Sequence, residues 1–180
     1  MEVVLINAAA SSDVNSGFIA DKLAEKYEGC NRFDLCSLKF DVSHPVRKDD
    51  SGFKPELVEE SLRDAMSAVN VADLIIFIAP NYFSFISGMA KMFLDRFCVF
   101  QNFSGMPTFP NKENKKFFFI LTQGSPNRSH GQSTQDWMKH FAGIFKMKFF
   151  GMTIPNCKGR EPEAAKMKID EISMSLNMFT

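Results

Sequence analysis

The chain has 180 residues and a mass of 20.4 kDa, the size of one ordinary domain. Its hydrophobic share of 45% is too high for a disordered chain, and 21 basic residues balance 21 acidic ones, so charge makes no case for nucleic acid or an acidic membrane surface. The unusual count is 20 phenylalanines beside a single tryptophan, which points to a large apolar core and to an apolar interface or pocket.

Strand and helix patterns alternate along the chain. Val3 to Ile6 is a short continuous apolar run, as expected of a strand buried on both faces. Ile19, Leu23 and Tyr27 recur every four residues and predict a helix from Ser16 to about Glu28. Arg32 to Leu35 reads as a weaker strand, and the polar stretch from Ser37 to Lys54 as a long surface loop. Pro55 suits the first turn of a helix reaching about Asn70, with Val58, Leu62, Ala65, Met66 and Val69 on one side. Leu74 to Ala79 is the clearest buried strand. A helix from about Ser87 to Phe100 follows, with Met89, Met92, Phe93 and Phe97 on its apolar side. Residues 101–115 read as loop, Lys116 to Leu121 as a buried strand, and Trp137, Met138, Phe141, Ile144 and Phe145 as the apolar side of a fourth helix. Phe149 to Ile154 is a fifth strand, and Ala165, Ile169, Ile172, Leu176 and Phe179 mark a closing helix. The expectation is an α/β chain, one domain over residues 1–180, with an open parallel sheet covered on both faces.

The four cysteines have neither zinc-ribbon nor thioredoxin-type spacing and read as reduced thiols, and the three histidines show no metal-ligand spacing, so no metal is expected. The N-terminal apolar run is too short for a signal peptide, and no run approaches the ~20 residues of a membrane span. The expectation is a cytoplasmic protein with no membrane and no nucleic-acid partner.

In such sheets ligands bind beyond the carboxyl ends of the strands, near the point where strand order reverses. Three segments stand there: Asn7 to Gly17, Pro80 to Phe85, and Thr122 to Gly131. The first runs into a helix. Its hydroxyl and amide side chains and free N–H groups suit a phosphate monoester, although ordinary N-capping would leave the same pattern. It is neither a P-loop nor a Gly-x-Gly-x-x-Gly turn.

The segment from Ala72 to Arg96 carries a more specific signal. An Ala-Asp-x-Ile-Ile strand runs into Pro80-x-Tyr82, then a Ser/Gly-rich turn, then Lys91-x-x-x-Asp95-Arg96 on a helix. This resembles the flavodoxin-like NAD(P)H-dependent FMN and quinone reductases. The resemblance implies a flavodoxin-like three-layer sandwich with a five-stranded parallel sheet in the order 2-1-3-4-5. It implies FMN as cofactor, NAD(P)H as co-substrate, and a quinone, flavin or similar small aromatic molecule as acceptor. Carried over position by position, Ser11, Val14, Asn15 and Ser16 hold the flavin phosphate. Pro80, Asn81, Tyr82 and Phe83 run along the isoalloxazine, with Tyr82 and Phe83 framing it. Thr122, Gln123, Gly124 and Ser125 form the third flavin loop, their N–H groups facing the ring carbonyls. Where the family has Gly-Ser-x-Arg, this chain has Asn7-Ala8-Ala9-Ala10. The family habit of dimers or tetramers makes Met89, Phe93, Phe97 and Phe103 candidates for a subunit contact. Arg96 is expected in a subunit contact or on a solvated face; His130 reads first as an ordinary loop histidine, and is a candidate beside a substrate only by analogy with relatives that place a His there.

Two other readings stay open. A flavodoxin-type one-electron carrier would bind FMN but tends to be strongly acidic, unlike this chain. A cofactor-less binding module of the same fold is kept open by the Ala8 to Ala10 run.

Overall fold

A computed structural model describes residues 1–9, 14–45, 47–111, 113–158 and 161–180. Its centre is a five-stranded, fully parallel sheet in the order β2-β1-β3-β4-β5, built from β1 (Val3–Asn7), β2 (Asn31–Asp34), β3 (Leu74–Pro80), β4 (Lys116–Thr122) and β5 (Lys148–Ile154). The three continuous apolar runs occupy the three central places, where both faces are covered. Alternate residues serve opposite layers. Val4, Ile6, Ile75, Phe77, Phe117 and Phe119 face α2 (Arg63–Val71), α3 (Gly88–Asp95) and α4 (Gln132–Ile144). Leu5, Ile76, Ile78, Phe118 and Ile120 face α1 (Val14–Lys26) and α5 (Glu163–Phe179).

The phenylalanines gather mainly in the first of these layers. The Phe97 ring lies 5.2–6.0 Å from those of Phe93, Phe100, Phe141 and Phe145. Phe93 and Phe97 are therefore core residues, which corrects their expected place in a subunit contact. Met89 is half-buried against the same cluster, and of the four candidates only Phe103 is exposed, at 71%. Ile144, expected on the apolar side of α4, is also exposed.

Two helices are shorter than the periodicity predicts. The segment from Pro55 forms two separate 3-10 turns, Pro55–Leu57 and Glu60–Leu62, with extended backbone at Val58 between them, and α2 starts only at Arg63. The break turns Glu59 inward. Its carboxylate meets Arg96, which lies just beyond α3 at the start of a 3-10 turn, Arg96–Phe100. Arg96 is 5% exposed and Glu59 8%. Arg96 Nε donates to both Glu59 oxygens at 3.2 and 3.0 Å, and its NH2 group to Glu59 Oε1 and the Asp41 carbonyl, both at 2.9 Å. The expected surface or subunit role of Arg96 is thus replaced by a buried ion pair. Lys115 is likewise fully buried. Its Nζ donates to the carbonyls of Val69 (2.8 Å), Asn70 (3.2 Å) and Ala72 at the end of α2, and burial pulls its pKa down to about 7 against the smaller opposing effect of Asp73.

No helix among the described residues is long and apolar enough to cross a membrane.

Candidate active site

Three loops meet at the carboxyl end of the sheet. The first is shorter than expected, because α1 already begins at Val14. Val14, Asn15 and Ser16 therefore open a helix rather than close a loop. Ser11 and the side chain of Val14 lie outside the described residues. Asn15 and Ser16 are buried. Asn15 Oδ1 accepts the Ala165 amide at 3.2 Å, tying the N-terminus of α1 to that of α5. Ser16 Oγ lies 3.0 Å from Thr122 Oγ1, which ties α1 to the end of β4. These side chains fix the direction of the helix.

The second loop leaves β3 at Pro80, which stands opposite Thr122 in the sheet. The Asn81 amide donates to the Thr122 carbonyl at 2.7 Å. Residues 82–85 form a tight turn, with the Tyr82 amide donating to the Phe85 carbonyl at 2.7 Å and the Phe85 amide to the Tyr82 carbonyl at 3.0 Å. Ser87 Oγ accepts from the Ala90 amide at 3.1 Å, capping α3, and contacts the Ala8 carbonyl at 3.4 Å. Tyr82 is half-exposed, and Phe83 stands free of ring contacts among the described residues.

The third loop is organised by Gln123, and here the geometry corrects an expectation. Its N–H does not face a ligand; it donates to the Ile154 carbonyl at 2.9 Å, while its own carbonyl accepts the Cys157 amide at 2.9 Å. Its side-chain Nε2 donates to the carbonyls of Ser125 (3.1 Å) and Asn127 (2.7 Å). Gln123 is a brace. The amides of Gly124 and Ser125 have no acceptor among the described residues, and Lys158 lies along Gly124, with its Cγ 3.4 Å from where a β-carbon there would sit.

Asn81 joins the second loop to the third. Its Nδ2 donates to Gln123 Oε1 at 3.2 Å and to the His130 carbonyl at 3.3 Å. The backbone of His130, not its exposed imidazole, takes part. Asn81 Oδ1 is buried with no partner among the described residues. The sequence patterns that marked the loops did not single out this pairing, since Asn81 and Gln123 stand 42 residues apart.

Gly131 lets this brace close. A β-carbon there would lie 2.7 Å from Leu121 Cδ2 and 2.9 Å from Gln123 Oε1. Gly131→Ala is expected to cost about 1–3 kcal/mol in urea denaturation by overpacking, and to loosen the contact between Gln123 and Asn81.

Neither residues 80–87 nor residues 122–127 contain an Asp, Glu, Lys, Arg or His. Among the described residues no group of three or more His, Cys, Asp or Glu could hold a metal ion. These two stretches offer amides, hydroxyls and aromatic faces, which bind and orient a planar polar ligand, while Arg128 and His130 stand exposed further along the third loop.

The fold is flavodoxin-like, and the chain is similar to known proteins over nearly its whole length. It is 21% identical over 155 residues, 86% of this chain and 84% of the other, to a Bacillus subtilis protein named for an NAD(P)H-dependent FMN-containing oxidoreductase, YwqN. Among solved structures it resembles an NAD(P)H:quinone oxidoreductase from Methanothermobacter marburgensis, with a TM-score of 0.69 at 13% identity over 97% of this chain and 94% of that one. It also resembles an FMN-dependent NADH-azoreductase from Bacillus anthracis in complex with FMN, with a TM-score of 0.67 at 11% identity over 99% of each chain. At these identities the two structures speak for the fold. The sequence profile of the NADPH-dependent FMN reductases matches residues 1–156, and the chain belongs to that family.

Proposed function

We propose that the chain is an FMN-dependent NAD(P)H oxidoreductase that passes two electrons to a quinone, a free flavin or a similar aromatic acceptor. The observation that carries the reading is the orphaned Asn81 Oδ1 in the wall where the second and third loops meet. A buried acceptor without a donor is costly unless something completes it. The imide N–H of a flavin ring is such a donor, and the unspent amides of Gly124 and Ser125 suit the ring carbonyls that flank it. The residues present fit the group.

In this reading the start of α1, with Ser11, Val14, Asn15 and Ser16, receives the phosphate on helix amides. Asn15 and Ser16 act by holding the helix in place. Pro80, Asn81, Tyr82 and Phe83 border the ring on one side and Thr122, Gln123, Gly124 and Ser125 on the other. Bound FMN supplies the hydride-carrying chemistry. NAD(P)H gives up a hydride and becomes NAD(P)+; a quinone gains those two electrons and two protons, the second proton coming from solvent, and becomes a hydroquinone. The protein's part is to orient the ring, exclude water with its aromatic side chains and donate N–H groups where negative charge gathers.

The test is the visible absorption spectrum of the protein as isolated, followed by NADPH and NADH in the absence of air. Two flavin bands that bleach within the turnover time are expected. Bands that bleach only slowly would favour a one-electron carrier. A colourless protein that leaves FMN fluorescence unquenched would favour a binding module without a cofactor.

A further inference from the structure

The turn that follows Asn81 has an unusual backbone. Phe83 has φ +51° and Ser84 φ +66°, so both central residues of the two-residue turn between Tyr82 and Phe85 are left-handed, as in a type I′ hairpin. That geometry favours Asn-Gly, because a side chain at positive φ is strained and a bulky one most of all. This chain puts phenylalanine and serine there.

The strain is held from one side. The Ser84 carbonyl accepts from Thr134 Oγ1 at 2.8 Å and contacts Ser133 Oγ at 3.4 Å, both in the first turn of α4. Phe85 packs edge-on against Trp137 with ring centroids 5.2 Å apart, and Trp137 stacks on Phe141 at 5.7 Å. Ser84 and Phe85 are thus anchored to α4, while the Phe83 ring has no ring partner among the described residues and is 104% exposed. Packing does not explain an aromatic ring raised on a strained turn. Display to a ligand does, and the turn begins one residue after the Asn81 brace.

We propose that Phe83 selects the electron acceptor: its ring is held at the mouth of the site to stack on a flat, fused-ring quinone. The proposal rests on the flavin-reductase reading and narrows its acceptor class. An apolar ring recognises the area and flatness of its partner, not its substituents, and prefers offset or edge-to-face contact. A small, highly charged, non-planar oxidant such as ferricyanide gains little from it.

The experiment uses the FMN-loaded protein and compares wild type with Phe83→Asn, which suits a left-handed turn, and Phe83→Tyr, which keeps the ring. Calorimetric titration with menadione reads binding without turnover. Loss of one stacking contact is expected to raise the menadione Kd about three- to tenfold in Phe83→Asn, with Phe83→Tyr near wild type. The ratio of kcat/KM for menadione to that for ferricyanide falls in parallel, and Phe83→Asn melts at a higher temperature as the strain is relieved. An unchanged Kd and ratio in FMN-loaded Phe83→Asn overturns the proposal, and a smaller sedimenting species in that case assigns the ring to a contact between copies of the chain. A melting temperature that falls also overturns it, because the ring would then be packed rather than displayed. A wild-type protein that takes up no FMN defeats the underlying reading instead, and shows itself in the spectrum before any quinone is added.

Discussion

Replacing Arg96 with leucine is expected to destabilise the protein by about 3–5 kcal/mol at neutral pH, read from urea denaturation. The substitution is apolar and of moderate size, so lost packing is the smaller part of the effect. The larger part is Glu59. Its carboxylate is buried beside Val58, takes three side-chain hydrogen bonds from Arg96 and is also held by the backbone amides of Glu59 and Asp41. Without the guanidinium a buried charge stays inside with no opposite charge to meet it. Removing both charges together, as Glu59→Leu with Arg96→Met, is expected to recover most of the loss, because a buried ion pair adds little over an apolar pair of similar size. The pH dependence has a defined sign. Burial raises the Glu59 pKa, but the Arg96 hydrogen bonds and charge outweigh it and leave the pKa below the ordinary carboxylate range. In wild type this contribution is present above the unfolded pKa of about 4.3 and is lost as pH falls through the lower folded value. In Arg96→Leu the backbone amides of Glu59 and Asp41 still favour the carboxylate, but the guanidinium no longer offsets burial, so the folded pKa moves up and the penalty fades as Glu59 takes a proton. The gap between the two proteins should narrow steadily from pH 7 to pH 4. A gap that stays constant over that range would mean that Glu59 is not the origin of the loss.

The same pair marks where linear reading of this chain stops. Val3–Ile6, Leu74–Ala79 and Lys116–Leu121 were legible as strands because burial on both faces leaves an uninterrupted apolar run. Lys91 and Asp95 were legible as a pair because they stand one helical turn apart, and they do bond. Arg96 is the next residue, yet its partner is 37 positions away across a break in what the periodicity reads as one helix. The break was invisible because Leu62 and Met66 keep a helical spacing from Val58 through the second 3-10 turn and into α2. Lys115 sits in a polar run that reads as surface, and is buried because the end of α2 presents carbonyls to it. The site divides in the same way. Its three segments were legible from their place after apolar strands and from their turn-forming residues. The division of labour within them was not. The Gln123 N–H reads as a ligand donor and is spent on the Ile154 carbonyl, and no glycine at positions 83 or 84 announced a left-handed turn.

Asn81→Asp is expected to weaken FMN binding about 100-fold, an effect near 2.7 kcal/mol, measured by quenching of flavin fluorescence on titration with the apoprotein. The reason lies in which way round the amide stands. Gln123 Nε2 is committed to two carbonyls, so Gln123 must offer its oxygen to Asn81. The His130 carbonyl is also an acceptor. Only the NH2 end of Asn81 can meet both, which forces its oxygen to be the orphaned atom that a ring N–H would complete. A carboxylate has the same shape and no donor. It sets oxygen against oxygen at both contacts, opens the gap between the second and third loops, and leaves a buried charge where a reduced flavin gathers negative charge of its own. Asn81→Ala removes the donor without adding repulsion, and should cost about tenfold, since Gln123 Oε1 then turns to water or stays unpaired. The order Asp worse than Ala is the informative result, because loss of side-chain volume alone would rank alanine as the more harmful change. If Asn81→Asp binds FMN as tightly as wild type, Asn81 lies off the ring, and the orphaned oxygen needs another explanation.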